Sequence, residues 1–231
     1  MKRQNLGQHF LLSQNIAKKI VDSAGITKKD TVLEVGTGRG ILVPYLCDAA
    51  RYVISVEKDE RLYSDAVLKF SQIPNLELVY GDGFEIDMDF DVFVSNLPYS
   101  RSRNAIEWLA QKKWKYAVVM VQEEFAEKLF SVGKKMRAVA VIANHSFEMQ
   151  KVLSVSKNNF EPPPKVDSVV LLLKHKKRVT PEVIDAVNKL FSYKRKTVGN
   201  ILKRFGKKMQ SDKRLEELTV DEIIKLAKQI V

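Results

Sequence analysis

Ser95-Asn96-Leu97-Pro98-Tyr99 is the stretch of this chain best equipped for chemistry. It follows the apolar run Val92-Phe93-Val94, so it stands where a buried strand ends and the chain turns outward. In an open α/β sheet the carboxyl end of a strand is where ligands bind. The stretch offers an amide side chain, backbone carbonyls held out by a proline, and an aromatic ring. These suit a planar base with an amino group: Asn96 and a carbonyl accept its two N–H bonds while Tyr99 stacks on its face. The same residues also make an ordinary strand end with an Asn-x-Pro turn and Tyr99 as packing. The choice between the two readings rests on the elements around them.

Thr31-Val32-Leu33-Glu34-Val35 reads as a buried strand that runs into Gly36-Thr37-Gly38-Arg39-Gly40 and then a helix through Leu46. Strand, glycine loop and helix form the geometry of a nucleotide-type site, because glycines admit a close ligand and a helix start offers free N–H groups. The spacing is not G-x-G-x-x-G, which argues against a nicotinamide or flavin. A second strand, Tyr52–Val56, ends at Glu57, about twenty residues past the glycines, where a carboxylate can accept both hydroxyls of a ribose. A third strand, Leu76–Tyr80, ends in Gly81-Asp82. Asp82 either accepts from the amine of a bound adenosine or serves the turn.

Further along, Tyr116–Val121 is a fifth strand, followed by a helix with Phe125, Leu129 and Phe130 on one face. Strand–helix alternation of this kind builds a doubly wound, mostly parallel α/β sheet. A helix near 137–144 precedes two strands, Met149–Val155 and Val166–Lys174, expected to pair antiparallel. Between them Phe160-Glu161-Pro162-Pro163-Pro164-Lys165 sets an aromatic ring beside a proline-stiffened loop, a second wall for a base opposite Tyr99 or a hydrophobic plug. At the start of the chain, Ser13 caps a helix whose apolar face is Ile16, Ile20 and Val21. His175–Val179 marks a boundary. Residues 1–176 form the sheet domain and 177–231 a small basic helical domain. In the latter, Thr180 and Pro181 open one helix, a second carries Val198, Ile201, Leu202 and Phe205 and ends at Gly206, and Thr219–Glu222 is the capping box of the last.

Charge points to a polyanionic partner. The net charge is +11, and from Lys176 onward 15 Lys and Arg stand against 7 Asp and Glu. Lys194, Arg195 and Lys196 fall between two amphipathic helices with no acidic neighbours in sequence, and are candidates to grip phosphates. A single cysteine, Cys47, fits a reducing, cytoplasmic setting, and no apolar segment suggests a signal peptide or membrane helix. His9, His145 and His175 are scattered, so no metal spacing and no Ser-His-Asp arrangement can be read.

Together these pieces resemble the ribosomal RNA adenine dimethyltransferase family. The resemblance is carried by Leu6-Gly7-Gln8-His9-Phe10-Leu11, Gly36–Gly40, Glu57, Gly81-Asp82, Asn96–Tyr99, Gln122-Glu123-Glu124, Phe160–Ser168, and Arg195-Lys196-Thr197 with Asn200. It implies a class I methyltransferase (Rossmann-like) sheet with a terminal antiparallel strand, S-adenosylmethionine as donor, and N6,N6-dimethyladenosine as product. The donor residues it implies are Gln8, His9, Leu11, Gly36, Gly38, Gly40, Glu57, Lys58, Asp82, Gly83 and Asn96. The catalytic residues are Asn96, Leu97 through its carbonyl, Tyr99 and Phe160; the RNA contacts are Lys165, Lys194, Arg195 and Lys196. Leu97 and the Arg-Lys-Thr tail favour the small-subunit branch, which modifies two neighbouring adenosines near the RNA 3′ end, over the macrolide-resistance branch. The implied partner is ribosomal RNA or a precursor of the small subunit, and the enzyme is expected to act as a monomer. The chain departs from the family at Ser100-Arg101-Ser102-Arg103-Asn104, where an aliphatic residue, Ser/Thr and Pro are usual. It departs again at Lys134-Lys135-Met136-Arg137, which replaces Tyr-Gly-Arg.

Two alternatives stay open on sequence. A DNA N6-adenine methyltransferase uses a similar Asn/Asp-Pro-Pro-Tyr turn, although Leu97 and the Gln8–Leu11 segment argue against it. An assembly factor that binds precursor RNA with dispensable catalysis would also keep the intact glycine, Glu57 and Asn96 set.

Overall fold

The computed structural model describes residues 8–231, so Leu6 and Gly7 of the first motif lie outside the described residues. The chain divides into two compact units. The first comprises residues up to Ser102 together with Lys113–Glu123 and Met149–His175. It begins with strand β1 (Phe10–Leu11), helix α1 (Gln14–Ser23), β2 (Thr31–Val35), α2 (Val43–Ala49), β3 (Tyr52–Glu57), α3 (Glu60–Phe70), β4 (Leu76–Tyr80) and β5 (Val92–Ser95). Along the chain then come α4 (Ser102–Leu109), β6 (Tyr116–Gln122), α5 (Glu123–Leu129), α6 (Ala138–Ser146), β7 (Phe147–Val155), β8 (Phe160–Glu161) and β9 (Ser168–His175), of which α4, α5 and α6 fall almost wholly in the second unit.

The main sheet has seven strands in the order β4-β3-β2-β5-β6-β9-β7. β4, β3, β2, β5 and β6 are parallel, and β9 runs antiparallel to β6. This is the doubly wound class expected. Continuously apolar strands such as β5 and β6 are buried on both faces, as parallel strands under helices must be. The chain leaves β2 toward β3 and β4 on one side and returns to β5 on the other. The carboxyl ends of β2 and β5 therefore flank the topological switch point, where such sheets hold ligands. β7 and β9, read as a pair, are hydrogen-bonded neighbours.

Ser13 accepts from the Ile16 N–H at 3.3 Å and starts α1, whose Ala17, Ile20 and Val21 are buried. They join Leu46, Val53, Val94 and Phe160 in one core cluster. Gly40, read from sequence as part of the ligand loop, belongs to this packing instead. Its φ is +73°, and a Cβ there would stand 2.2 Å from a ring carbon of buried Phe70.

The second unit gathers Arg103–Lys112, Glu124–Glu148 and Lys176–Val231. Its later helices are α7 (Pro181–Ser192), α8 (Val198–Lys203) and α9 (Val220–Gln229). The boundary read at 176 is thus where its last segment starts, while two earlier segments join it. The reason is α6, whose Ala138–Ala143 are all buried. A helix apolar all round needs cover on every side, and α7 and α9 pack on it. Three details differ from the sequence reading. Phe130 is exposed, with Ala126 and Leu129 forming the buried face of α5. Thr180 starts α7 without a side-chain cap bond, and α8 stops at Lys203, short of Phe205. The capping box at Thr219 and Glu222 is present. No helix among the described residues is long and apolar enough to cross a membrane.

Gly40→Ala should lower unfolding stability by about 2–5 kcal/mol, combining ~1–2 for left-handed backbone with ~1–3 for overpacking against Phe70. Urea unfolding measures this, and adding Phe70→Leu should restore part of the loss. A Gly40→Ala protein as stable as its parent would show that Phe70 leaves room there.

Candidate active site

Two adjoining cavities open at the switch point, and both are lined by Gln8, Gly36, Glu57 and Pro98. The first adds His9, Leu11, Gly38 and Asn96; the second adds Lys58, Asp82, Gly83 and Leu97. Apart from Gly40, every donor-site residue expected from sequence lines one of them.

Glu57 ends β3 and is only 5% exposed. Its Oε2 accepts the Gly38 N–H and its Oε1 the Asp59 N–H, both at 2.8 Å. Gly38 reaches this position with φ +56°, a conformation that costs a side chain dearly. Each carboxylate oxygen holds one backbone donor and keeps capacity for another, which fits a pair of ribose hydroxyls.

Glu34 is a site residue that sequence reasoning did not single out. Parallel pairing of β2 and β3 sets it opposite Ser55, whose hydroxyl donates to Glu34 Oε2 at 2.5 Å and contacts Thr37 Oγ1 at 2.6 Å. Burial pushes the Glu34 carboxyl up to about 8; the Ser55 hydrogen bond opposes this and the Glu57 charge adds to it. It is therefore protonated at neutral pH, though it lines the first cavity. One acid within an otherwise apolar strand was the available signal.

Asp82 is held by Lys58 at 2.9 Å, by Arg101 at 2.7 and 3.0 Å, and by the Phe84 N–H at 3.1 Å. Burial alone would raise its pKa. The Lys58 and Phe84 hydrogen bonds and the Arg101 charge outweigh that and hold it below the usual carboxylate range. Arg101 lies in the segment that departs from the family pattern, and that departure was its only signal.

Asn96 follows β5, is half-buried, and its side chain has no hydrogen-bond partner among the described residues. Tyr99 is tied through its hydroxyl to Ser168 Oγ at 2.7 Å, and burial raises its pKa. Its ring lines neither cavity but stacks on His9, with centroids 5.4 Å apart. His9 Nδ1 in turn donates to the Pro162 carbonyl at 2.7 Å. Phe160, expected opposite Tyr99, is instead 3% exposed within the core cluster. The reason is the antiparallel pairing of β1 with β8, which sets Phe160 against Leu11. An Arg39–Glu161 ion pair completes this strap, with Arg39 lying over the Phe10 ring. Among the described residues no cluster of His, Cys, Asp or Glu could hold a metal ion.

In the second unit, Lys194 and Arg195 line a cleft with Arg103, Lys128 and Arg137 and the rings of Phe125 and Phe191. Lys196 does not line it, and Lys165 lies exposed in the first unit.

A model of the ribosomal RNA adenine dimethylases matches residues 1–230. The chain belongs to that family. Similar proteins include ribosomal RNA small subunit methyltransferase A of Thermotoga neapolitana, 36% identical over 97% of this chain and 90% of its own. A probable small subunit methyltransferase A of Methanopyrus kandleri is 35% identical over 95% and 84%. Among solved structures, a dimethyladenosine transferase from Plasmodium falciparum superposes with a TM-score of 0.80 at 28% identity, covering 94% of this chain and 96% of its own. The 23S rRNA methyltransferase ErmE shares the fold, with a TM-score of 0.71 at 24% identity over 96% and 99%. Family membership makes the chain an rRNA adenine dimethyltransferase.

Glu34 gives this dimethylase a pH signature. A carboxyl raised on folding contributes stability that is complete below 4.5 and is lost as pH rises to about 8. Glu34→Gln removes that loss. Its unfolding free energy, measured by urea titration at each pH, should gain on the parent's across this range by at most about 1.4 kcal/mol per pH unit, and level off above it. A pH-independent difference would mean that Glu34 ionises freely where it sits.

Proposed function

We propose that this protein transfers methyl groups from S-adenosylmethionine to N6 of adenosines in small-subunit ribosomal RNA, forming N6,N6-dimethyladenosine at two neighbouring positions near the 3′ end. The observation that carries the proposal is the Asn96 amide, without a partner among the described residues and half-buried in the same cavity as the Glu57–Gly38 pair. The names of the curated relatives support the small-subunit assignment. The cavities are built within one unit of one chain, which supports a monomer, and a small-subunit precursor as substrate implies a cytoplasmic site of action.

Glu57 would hold the ribose of the donor, with Gln8, Gly36 and Gly38 around it. When bound, the donor supplies a sulfonium methyl that the amine would take as its carbon–sulfur bond breaks and the thioether leaves. An adenine N6 lone pair is delocalised into the ring, so the amine is a poor nucleophile. The Asn96 side-chain oxygen and the Leu97 carbonyl would accept its N–H bonds and favour a pyramidal nitrogen with its lone pair free. The nitrogen gains positive charge as it reacts, so oxygens there stabilise the transition state more than the ground state. No strong base is required, because the product ammonium loses its proton readily. Tyr99, held by Ser168, would stack on the target base, with His9 already on that ring.

The deciding experiment is methyl transfer from labelled donor to unmethylated small subunits, large-subunit RNA and duplex DNA, with mapping of modified bases. Label confined to large-subunit RNA or DNA would refute the proposal. A catalytically dead variant that still restores subunit maturation would favour the assembly role.

Asn96→Ala should slow single-turnover transfer by about 10²–10³-fold while donor affinity stays near the parent's. Tyr99→Ala should lose about 1–3 kcal/mol of stacking, and Tyr99→Phe, which keeps the ring, should retain most activity. Unchanged rates in both alanine variants would exclude this mechanism.

Lys194 and Arg195 are proposed to hold RNA phosphates in the basic cleft. Replacing both with Ala should leave donor binding intact and flatten the plot of log affinity against log salt by about 0.7–0.9 for each phosphate no longer held. An unaltered slope would reduce these charges to a solvated surface.

A further inference from the structure

Asp82 is the most heavily engaged carboxylate of the cavities. Its Oδ1 accepts from the Phe84 N–H at 3.1 Å and from Arg101 Nη2 at 3.0 Å. Its Oδ2 accepts from Lys58 Nζ at 2.9 Å and from the same Arg101 nitrogen at 2.7 Å. A carboxylate has about four lone-pair positions, so all are taken. One nitrogen within reach of both oxygens stands across the mouth of the carboxylate, leaving the flanks to Phe84 and Lys58. Lys58 touches Oδ2 alone, and its side chain is 68% exposed. The Arg101 guanidinium also lies over the Phe84 ring, 5.1 Å from its centroid. Arg101 lines the second cavity.

We propose that Arg101 sets affinity and specificity in the donor subsite by competing with the purine's exocyclic amine for the mouth of Asp82. The proposal rests on the assignment of these cavities to S-adenosylmethionine. A 6-amino purine brings N–H donors that can take over the guanidinium's bonds. A 6-oxo purine brings an acceptor, which cannot replace a donor beside a carboxylate. Every amine-bearing ligand that reaches Asp82 must displace an ion pair first, so both the donor and its spent form are held less tightly. Two methyl transfers to one nitrogen require the spent donor to leave between them. Arg101 promotes that exchange, and an aliphatic side chain at this position, having no N–H donor, could not.

The test compares the parent with Arg101→Ile and Arg101→Gln. Calorimetry and stopped-flow dissociation would be run with S-adenosylhomocysteine and its 6-oxo counterpart, S-inosylhomocysteine. A partly exposed ion pair predicts that Arg101→Ile binds S-adenosylhomocysteine roughly two- to fivefold more tightly, through slower dissociation. Arg101→Gln, which keeps one donor, should fall between, and neither variant should gain affinity for the 6-oxo compound. Equal or weaker binding of S-adenosylhomocysteine by Arg101→Ile, or equal tightening toward both compounds, would overturn the proposal. If Arg101→Ile does not fold, an Arg101→Gln variant no tighter than the parent does the same. A folded parent that binds neither compound would instead bring down the donor assignment itself.

Discussion

The buried Glu57 carboxylate is the interaction on which the site depends. By accepting the Gly38 and Asp59 N–H groups it ties the glycine loop after β2 to the turn that opens α3. The same junction is closed by backbone bonds from Gly36 to Val56 and from Gly81 to Glu57. Without the carboxylate, two backbone donors in a half-buried setting would lose their partner, at a cost of about 1–3 kcal/mol each. The loop conformation and the ligand-facing geometry are therefore one feature.

Around that junction the cavities place differently charged acids close together. Glu34 is neutral at physiological pH because it is fully enclosed and sees the Glu57 charge. Asp82 is held ionised by the cations over it. Two acids in neighbouring walls thus offer different hydrogen-bonding chemistry, one able to donate and one only to accept. The difference comes from surroundings, since neither residue type nor position in a strand dictates it.

The strap formed by β1 and β8 makes a similar point about distant segments. Residues 9–12 and 159–162 meet through strand pairing, the His9–Pro162 bond and the Arg39–Glu161 pair. On sequence alone the proline-rich loop suits a second wall for a base. In the fold it holds the N-terminal segment over the first cavity, with Phe160 anchored in the core.

Local patterns were sufficient for much of this. Apolar runs bounded by glycine and charged residues marked the strands, because a strand buried on both faces can be written almost only one way. Spacing placed Glu57 and Asn96 at strand ends, and alternation with helices implied the parallel sheet whose switch point they flank. Roles that depend on who stands opposite were not legible. Gly40 looked like its neighbours in the loop, but the ring of Phe70 fills the space beside it. Phe160 looked like a stacking ring until pairing with Leu11 buried it. Glu34 needed the β2–β3 register to meet Ser55, and Arg101 needed the fold to bring it back onto Asp82. α6 needed the apolar faces of α7 and α9 before it could be assigned to a unit. Each of these outcomes is a meeting of residues far apart in sequence, and only chain closure into the tertiary structure decides which residues meet.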